Sequence, residues 1–368
     1  MTEDKMEFLE NLPLKHKIQL QKFLITPTST TVYQAVQKKM DAVAKPLDGL
    51  GKFEHLIAQI GAIQGNVQIS TKKKAVLVMC ADNGIVEEGV SQSGKEVTLA
   101  VTRAMGQNQS SVGKMAAVVG ADVIPVDIGI DTSEEIPGVL SKKVAHGTRN
   151  FAKEPAMSEQ ETLLAIETGI RLVGSCKEQG YDLLATGEMG IGNTTTSTAV
   201  VASLLHLDVK EITGRGAGLD DASLSRKCNV IEDAITKYSL IGADAFTILQ
   251  TVGGLDIAGL TGIFIGGALY QIPVLVDGVI SSVAALLAER LCPGCKDYMI
   301  PSHKSREQAA SKVMKELQLD PVLDADMALG EGTGAVMMMS LLDIALQVYE
   351  DGSSFDEFQI EQYERYSS

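Results

Sequence analysis

The hydrophobic positions of this chain change rhythm once. Over the first 65 residues they recur every three or four positions, across 3–23 and again across 29–43. That is the period of helices with one buried face. The stretch KPLDGLGKFE, residues 45–54, breaks the period with Pro46, Gly49 and Gly51, and a further helix is predicted from Phe53 to Ile63. Then short apolar runs appear, separated by helical stretches. KAVLVMCAD closes on Asp82, ADVIPVDIGID on Asp127 and Asp131, YDLLATGE on Glu188, IPVLVDG on Asp277, and DYMIPSH on Ser302 and His303. Such runs are strands covered on both faces. Their alternation with helices predicts an α/β fold with a doubly wound, mostly parallel sheet, Rossmann-like. Ligands of these sheets sit beyond the carboxyl ends of the strands, where the acids, the serine and the histidine fall.

Residues 132–160 interrupt the alternation and read as an insertion, predicted as a small hairpin. The Met- and Leu-rich helix over 334–350 is expected to serve the core or a subunit contact. The acidic segment after Tyr349 reads as a frayed end.

Composition narrows the function classes. The 368 residues are 45% hydrophobic, enough for a large core, and carry a formal net charge of −15. An acidic surface repels phosphate backbones and anionic lipid, so neither a nucleic acid nor a membrane is expected as a partner. No apolar run reaches the length of a membrane span, and the mixed-charge N-terminus is unlike a signal peptide. Five cysteines in so long a chain fit a reducing compartment, and a cytoplasmic protein is expected. Cys292 and Cys295 form a CPGC pair. They read as two thiols beside a turn, or as a redox pair or half a metal site. No second CxxC completes a zinc site, and no metal is expected.

Glycine-rich turns carry the candidate chemistry. In GEMGIGNTTTSTAV, residues 187–200, a strand is expected to end at Thr186 and a helix to begin at the threonines with Asn193 as its cap. Gly187, Gly190 and Gly192 free the backbone between them. The first-turn amides and hydroxyls of that helix suit a phosphate. GRGAGLDD (214–221) and LGEGTGA (329–335) repeat the theme. None matches the Walker loop or the dinucleotide GxGxxG pattern. Glu188 and Glu331 are single acids within such loops, read either as helix caps or as a general base.

Taken in order, AKPLDGLGKFE, ADNGIVEEGVS, VDIGID, GTRNF with PAMS, GEMGIGNTTTSTA, GGLDIAGLTG, PVLVDG, IPSH and LGEGTGA resemble the nicotinate-nucleotide–dimethylbenzimidazole phosphoribosyltransferase family from about residue 40 to 350. The resemblance implies a smaller helical domain made of both chain ends, with 1–65 and 326–368 flanking a large α/β domain at 66–325. It implies transfer of phosphoribose from nicotinate mononucleotide to a benzimidazole, with inversion at C1′, without cofactor or metal, for cobalamin assembly. Glu331 falls on the family's general base. Phosphate and ribose fall near Glu188, Gly190, Asn193, Thr194, Gly216, Ala217 and Lys227, with Asp277 and Ser302 lining the same pocket. Ser93, Val101 and Leu329 fall at the aromatic base. His303 reads as structural.

The chain departs from the family's pattern at Asn83, at Ser93-Gly94, along Leu99, Ala100 and Val101, and at Ala328, where relatives often place polar groups. Fewer polar partners around the acceptor raise an alternative: one subunit of a paired enzyme that glycosylates phenol or p-cresol. The resemblance implies a homodimer, and the alternative a heterodimer with a paralogue.

Overall fold

Lys74–Ala81 is buried along its whole length and forms β1, near the middle of a six-stranded sheet. The structure is a computed structural model and describes residues 12–216 and 218–365. The other strands are β2 (Asp122–Gly129), β3 (Leu140–Ser141), β4 (Leu183–Met189), β5 (Val274–Val276) and β6 (Met299–Pro301). Their spatial order is β3-β2-β1-β4-β5-β6, and every pair is parallel. The chain builds outward from β1 in one direction and from β4 in the other. The reversal lies between β1 and β4, and a crevice opens beyond their carboxyl ends.

Five strands are the apolar runs of the sequence; β3 is not. The 132–160 segment forms no hairpin. Leu140–Ser141 instead pairs parallel with Val126–Asp127 at the sheet edge, and two paired residues leave no periodic trace.

The helices are α1 (Thr30–Asp41), α2 (Lys52–Gln64), α3 (Glu96–Gly106), α4 (Ser111–Val119), α5 (Glu159–Glu178), α6 (Asn193–Leu205), α7 (Val209–Ile212), α8 (Asp221–Lys237), α9 (Ala245–Val252), α10 (Leu255–Tyr270), α11 (Val279–Leu291), α12 (Gln308–Leu317) and α13 (Thr333–Asp351). Helix α10 is buried continuously from Leu255 to Ala268. It lies against α5 at glycine contacts: a Cβ on Gly169 would sit 2.1 Å from Gly259 O, and one on Gly262 2.0 Å from Ile166 O. No helix among the described residues is long and apolar enough to cross a membrane, so the hydropathy of α10 serves the core.

The chain ends depart from expectation. Of the helix predicted over 3–23, the part before residue 12 lies outside the described residues, and the rest holds only a 3-10 turn at Lys17–Lys22. The C-terminal segment is docked rather than frayed as far as residue 365. Ala44 N donates to Ser353 O at 2.8 Å, Phe355 is 3% exposed, and Arg365 pairs with Asp41 at 2.6 Å and Asp48 at 2.7 Å. Exposed ion pairs contribute little each. Burial of the Phe355 ring, with Tyr363 edge-on to it, is the larger anchor.

Candidate active site

A cavity of about 400 Å³ opens where β1 and β4 part. One wall is the turn from β4 into α6. Strand β4 runs past the expected end at Thr186, because Gly187 and Glu188 still pair with Val78 and Met79 of β1. Gly192, at φ +93°, is the helix cap, and Asn193 is the first helical residue. The Asn193 side chain is otherwise engaged. Its Nδ2 donates to Glu188 Oε2 and, at 3.0 Å, to Asp256 Oδ2. Glu188 reaches the cavity from deep within the sheet end. Burial pushes its pKa up to about 8; nearby Asp256, Asp277 and Glu331 add to this, and the Asn193 bond opposes it. Burial likewise lifts Asp256 to about 6.

The structure brings Glu188, Gly190, Asn193, Thr194, Gly216, Asp277, Val101, Leu329 and Glu331 to the lining of this one cavity. Ala217 lies outside the described residues. Three expected residues stand one layer back. Lys227 of α8 is fully buried. Its Nζ donates to Thr194 Oγ1 at 2.9 Å and to Gly214 O at 3.1 Å. Both partners are neutral, and burial pulls the ammonium down to about 8, partly offset by the Glu307 charge. Ser302 is turned away: its hydroxyl donates to Val276 O at 2.5 Å and so fastens β6 to β5. Ser305, three residues on, lines the cavity in its place. Ser93 does not line the cavity; its N–H donates to Ser91 Oγ at 3.3 Å, and Ser91 is the lining residue.

Asp277 ends β5 and accepts from Ala335 N at 2.9 Å, which caps the start of α13. Burial raises its pKa, with His303 opposing. The His303 Nδ1 is 3.9 Å from Asp277 and 3.1 Å from Ser302 Oγ. His303 also lines the cavity.

The facing wall is the turn before α13. Gly330, Glu331 and Gly332 stand at φ +90°, +61° and +91°. Three left-handed residues in a row, the middle one not glycine, are a costly backbone that marks functional sites more often than packing. The loop lies directly on β4, since a Cβ on Gly187 would fall 2.4 Å from Glu331 O. The Glu331 carboxylate accepts from Val112 N, at the start of α4, at 3.0 Å.

Sequence reading missed Val279, Ile280 and Ser281, the first turn of α11, which line the cavity. The strand-then-helix signal at VDG points there. It also missed Ser111, which has no local signal. Of the departures at Asn83, Leu99, Ala100, Val101 and Ala328, Val101 and Ala328 line the cavity. Asn83 does not; its side chain donates to Ile191 O at 3.4 Å. Leu99 packs on the core, and Ala100 is exposed.

A family model described as Phosphoribosyltransferase matches residues 25–360. The chain is 43% identical over 330 residues to the nicotinate-nucleotide–dimethylbenzimidazole phosphoribosyltransferase of Ruminiclostridium cellulolyticum, covering 90% of this chain and 94% of the relative. It is 44% identical to the enzyme of that name from Acetivibrio thermocellus, over 89% of this chain and 94% of the relative. The crystal structure of the nicotinate-nucleotide–dimethylbenzimidazole phosphoribosyltransferase from Thermus thermophilus superposes with a TM-score of 0.85 at 33% identity, over 91% of this chain and all of that one.

Proposed function

The chain belongs to the nicotinate-nucleotide–dimethylbenzimidazole phosphoribosyltransferase family, and on that premise we propose that it moves phosphoribose from nicotinate mononucleotide to 5,6-dimethylbenzimidazole or a close relative, in the assembly of the cobalamin nucleotide loop. One ring nitrogen of the base attacks C1′ from the face opposite the leaving group. The C1′–N bond to nicotinate breaks, and its electron pair returns to the pyridine nitrogen. Glu331 takes the proton from the second nitrogen of the base. A β-linked nucleotide thereby gives an α-ribazole 5′-phosphate, nicotinate and one proton.

The observation that carries this reading is a fully buried ammonium, Lys227, whose hydrogen-bond partners are both neutral, directly behind the α6 end of the cavity. Glu307 acts on it only through its charge; a buried charge with no anion among its hydrogen-bond partners is expensive, and a bound 5′-phosphate supplies one. Thr194, Gly216 and the start of α6 belong to the same end. Val101, Ala328 and Leu329 offer apolar surface for a flat base near Glu331. The phenol-glycosylating alternative is not supported. The relatives are named for dimethylbenzimidazole, and most of the residues that suggested otherwise do not face the cavity.

The enzyme is read as cytoplasmic and as a homodimer. Val118 and Met337 are 87% and 46% exposed in an apolar groove between α4 and α13. That face supports a contact between copies. The packing of α13 on α2 and the tie from the tail to α1 support a small domain made of both chain ends.

Nicotinate mononucleotide affinity is expected to fall above pH 8. Below that pH Lys227 is charged in both free and bound states, so its contribution is flat. Above it the free enzyme has lost the proton that the phosphate-bound form retains, and each further pH unit weakens binding about tenfold until the bound form titrates too. Glu188 ionises in the same range and adds repulsion. Calorimetry from pH 6.5 to 9.5 checks this, with NAD as the contrasting ligand. A flat profile, or tighter binding of NAD, would count against the phosphate site.

A further inference from the structure

Glu331 has two constraints that its own loop does not explain. Its backbone is left-handed at φ +61° between two left-handed glycines. Its Oε2 is held at 3.0 Å by the N–H of Val112, 219 residues away in sequence. That amide belongs to the open first turn of α4, where N–H groups lack helical partners and favour a carboxylate. The first turn is itself fixed. Ser110 caps it by accepting from Gly113 N at 3.2 Å, Val112 is fully buried, and Ser111 stands on the cavity wall. A carboxylate gripped through one oxygen presents the other.

We propose that the start of α4 is a positioning clamp for the catalytic base: the Val112 N–H holds Glu331 Oε2 so that Oε1 faces the acceptor, and Ser110 is the positioning residue that holds the amide in place. This rests on Glu331 being the base. Without the clamp a side chain on a strained turn samples other rotamers, and the base is present but misaimed. Misplacement of a reacting group by about 1 Å typically costs on the order of 10²-fold.

The test is steady-state turnover of nicotinate mononucleotide and 5,6-dimethylbenzimidazole by the full chain. Val112→Pro removes the N–H in the first helical turn, where no helical hydrogen bond is lost. It is expected to lower kcat about 10- to 100-fold with the nucleotide KM unchanged. Ala116→Gly loosens the same helix one turn later without touching the clamp, and is expected to lower the melting temperature and leave kcat alone. Should the proline variant fail to fold, Ser110→Ala decides. It is expected to lower kcat about fivefold by fraying the first turn, with Ser110→Thr restoring it. Unchanged kcat in a folded Val112→Pro, or in Ser110→Ala if the proline variant is lost, overturns the clamp. A kcat loss in Ala116→Gly equal to theirs also overturns it, since the effect would then be general loosening. Glu331→Gln is run beside them. If it retains turnover, the base assignment has failed; if it loses turnover while the clamp variants do not, the clamp alone has failed.

Discussion

Glu331→Gln is expected to lower kcat by about 10²- to 10⁴-fold, the usual contribution of a positioned general base, while the dissociation constant for nicotinate mononucleotide stays within a few-fold of wild type. Glutamine keeps the side chain's size, and its amide oxygen still accepts the Val112 N–H. What it loses is the capacity to take a proton. Glu188, one of two further glutamates on the cavity with Glu307, does not substitute at neutral pH. With burial holding its pKa at about 8, at pH 7 roughly ten molecules retain the proton for each that has lost it. A protonated carboxyl donates a hydrogen bond rather than accepting a proton. Its surroundings thus set Glu188 against accepting the base's proton. Glu188 sits deep at the sheet end between Asn193 and other acids, and Glu331 sits on a helix-start amide. Single-turnover rates with saturating base separate chemistry from binding. Near-wild-type rates in the glutamine variant would remove Glu331 from the role.

The second large effect is expected at the opposite end of the cavity. Lys227→Met should raise the nucleotide KM by about 30- to several-thousand-fold, the equivalent of roughly 2–5 kcal/mol for removing one member of a buried charge pair. The acceptor KM should stay near wild type. Methionine nearly fills the space of the lysine stem and removes an ammonium whose protein partners are neutral oxygens. The unliganded fold should therefore be no less stable than wild type, and its melting temperature equal or higher. The opposition of the two changes separates a ligand-binding lysine from a structural one. A lower melting temperature with an unchanged nucleotide KM would mean that Lys227 merely braces the 214–216 turn against α6.

Much of this was legible in the chain. The KAVLVMCA and LLATGE runs announced central strands, and the acids at their ends pointed to the crevice. The missed parts share one physical cause: they depend on contacts that leave no local period. Gly187 reads as loop because glycine is poor in strands, yet it pairs with Val78. Asn193 reads as a cap because asparagine usually caps. Its amide is instead taken by two carboxylates, one of them on α10, 63 residues on. Lys227 falls at the phosphate only by the resemblance, although Ile231 and Ala234 follow it at four and seven residues and share its buried face. That spacing was a usable signal. The Val112–Glu331 contact had none, since neither residue type nor spacing hints at it. Ser302 was assigned to the cavity by position in IPSH, and a single hydrogen bond to β5 turns it away.

The central claim is a transfer reaction with inversion, and product analysis tests it most directly. Purified protein is incubated at pH 7.5 with nicotinate mononucleotide and 5,6-dimethylbenzimidazole, and the products are separated by mass and their anomeric configuration read by NMR. The account predicts nicotinate and a ribazole 5′-phosphate in equal amounts, the latter entirely α. Nicotinate released without ribosylated base, or a β-configured product, would contradict it.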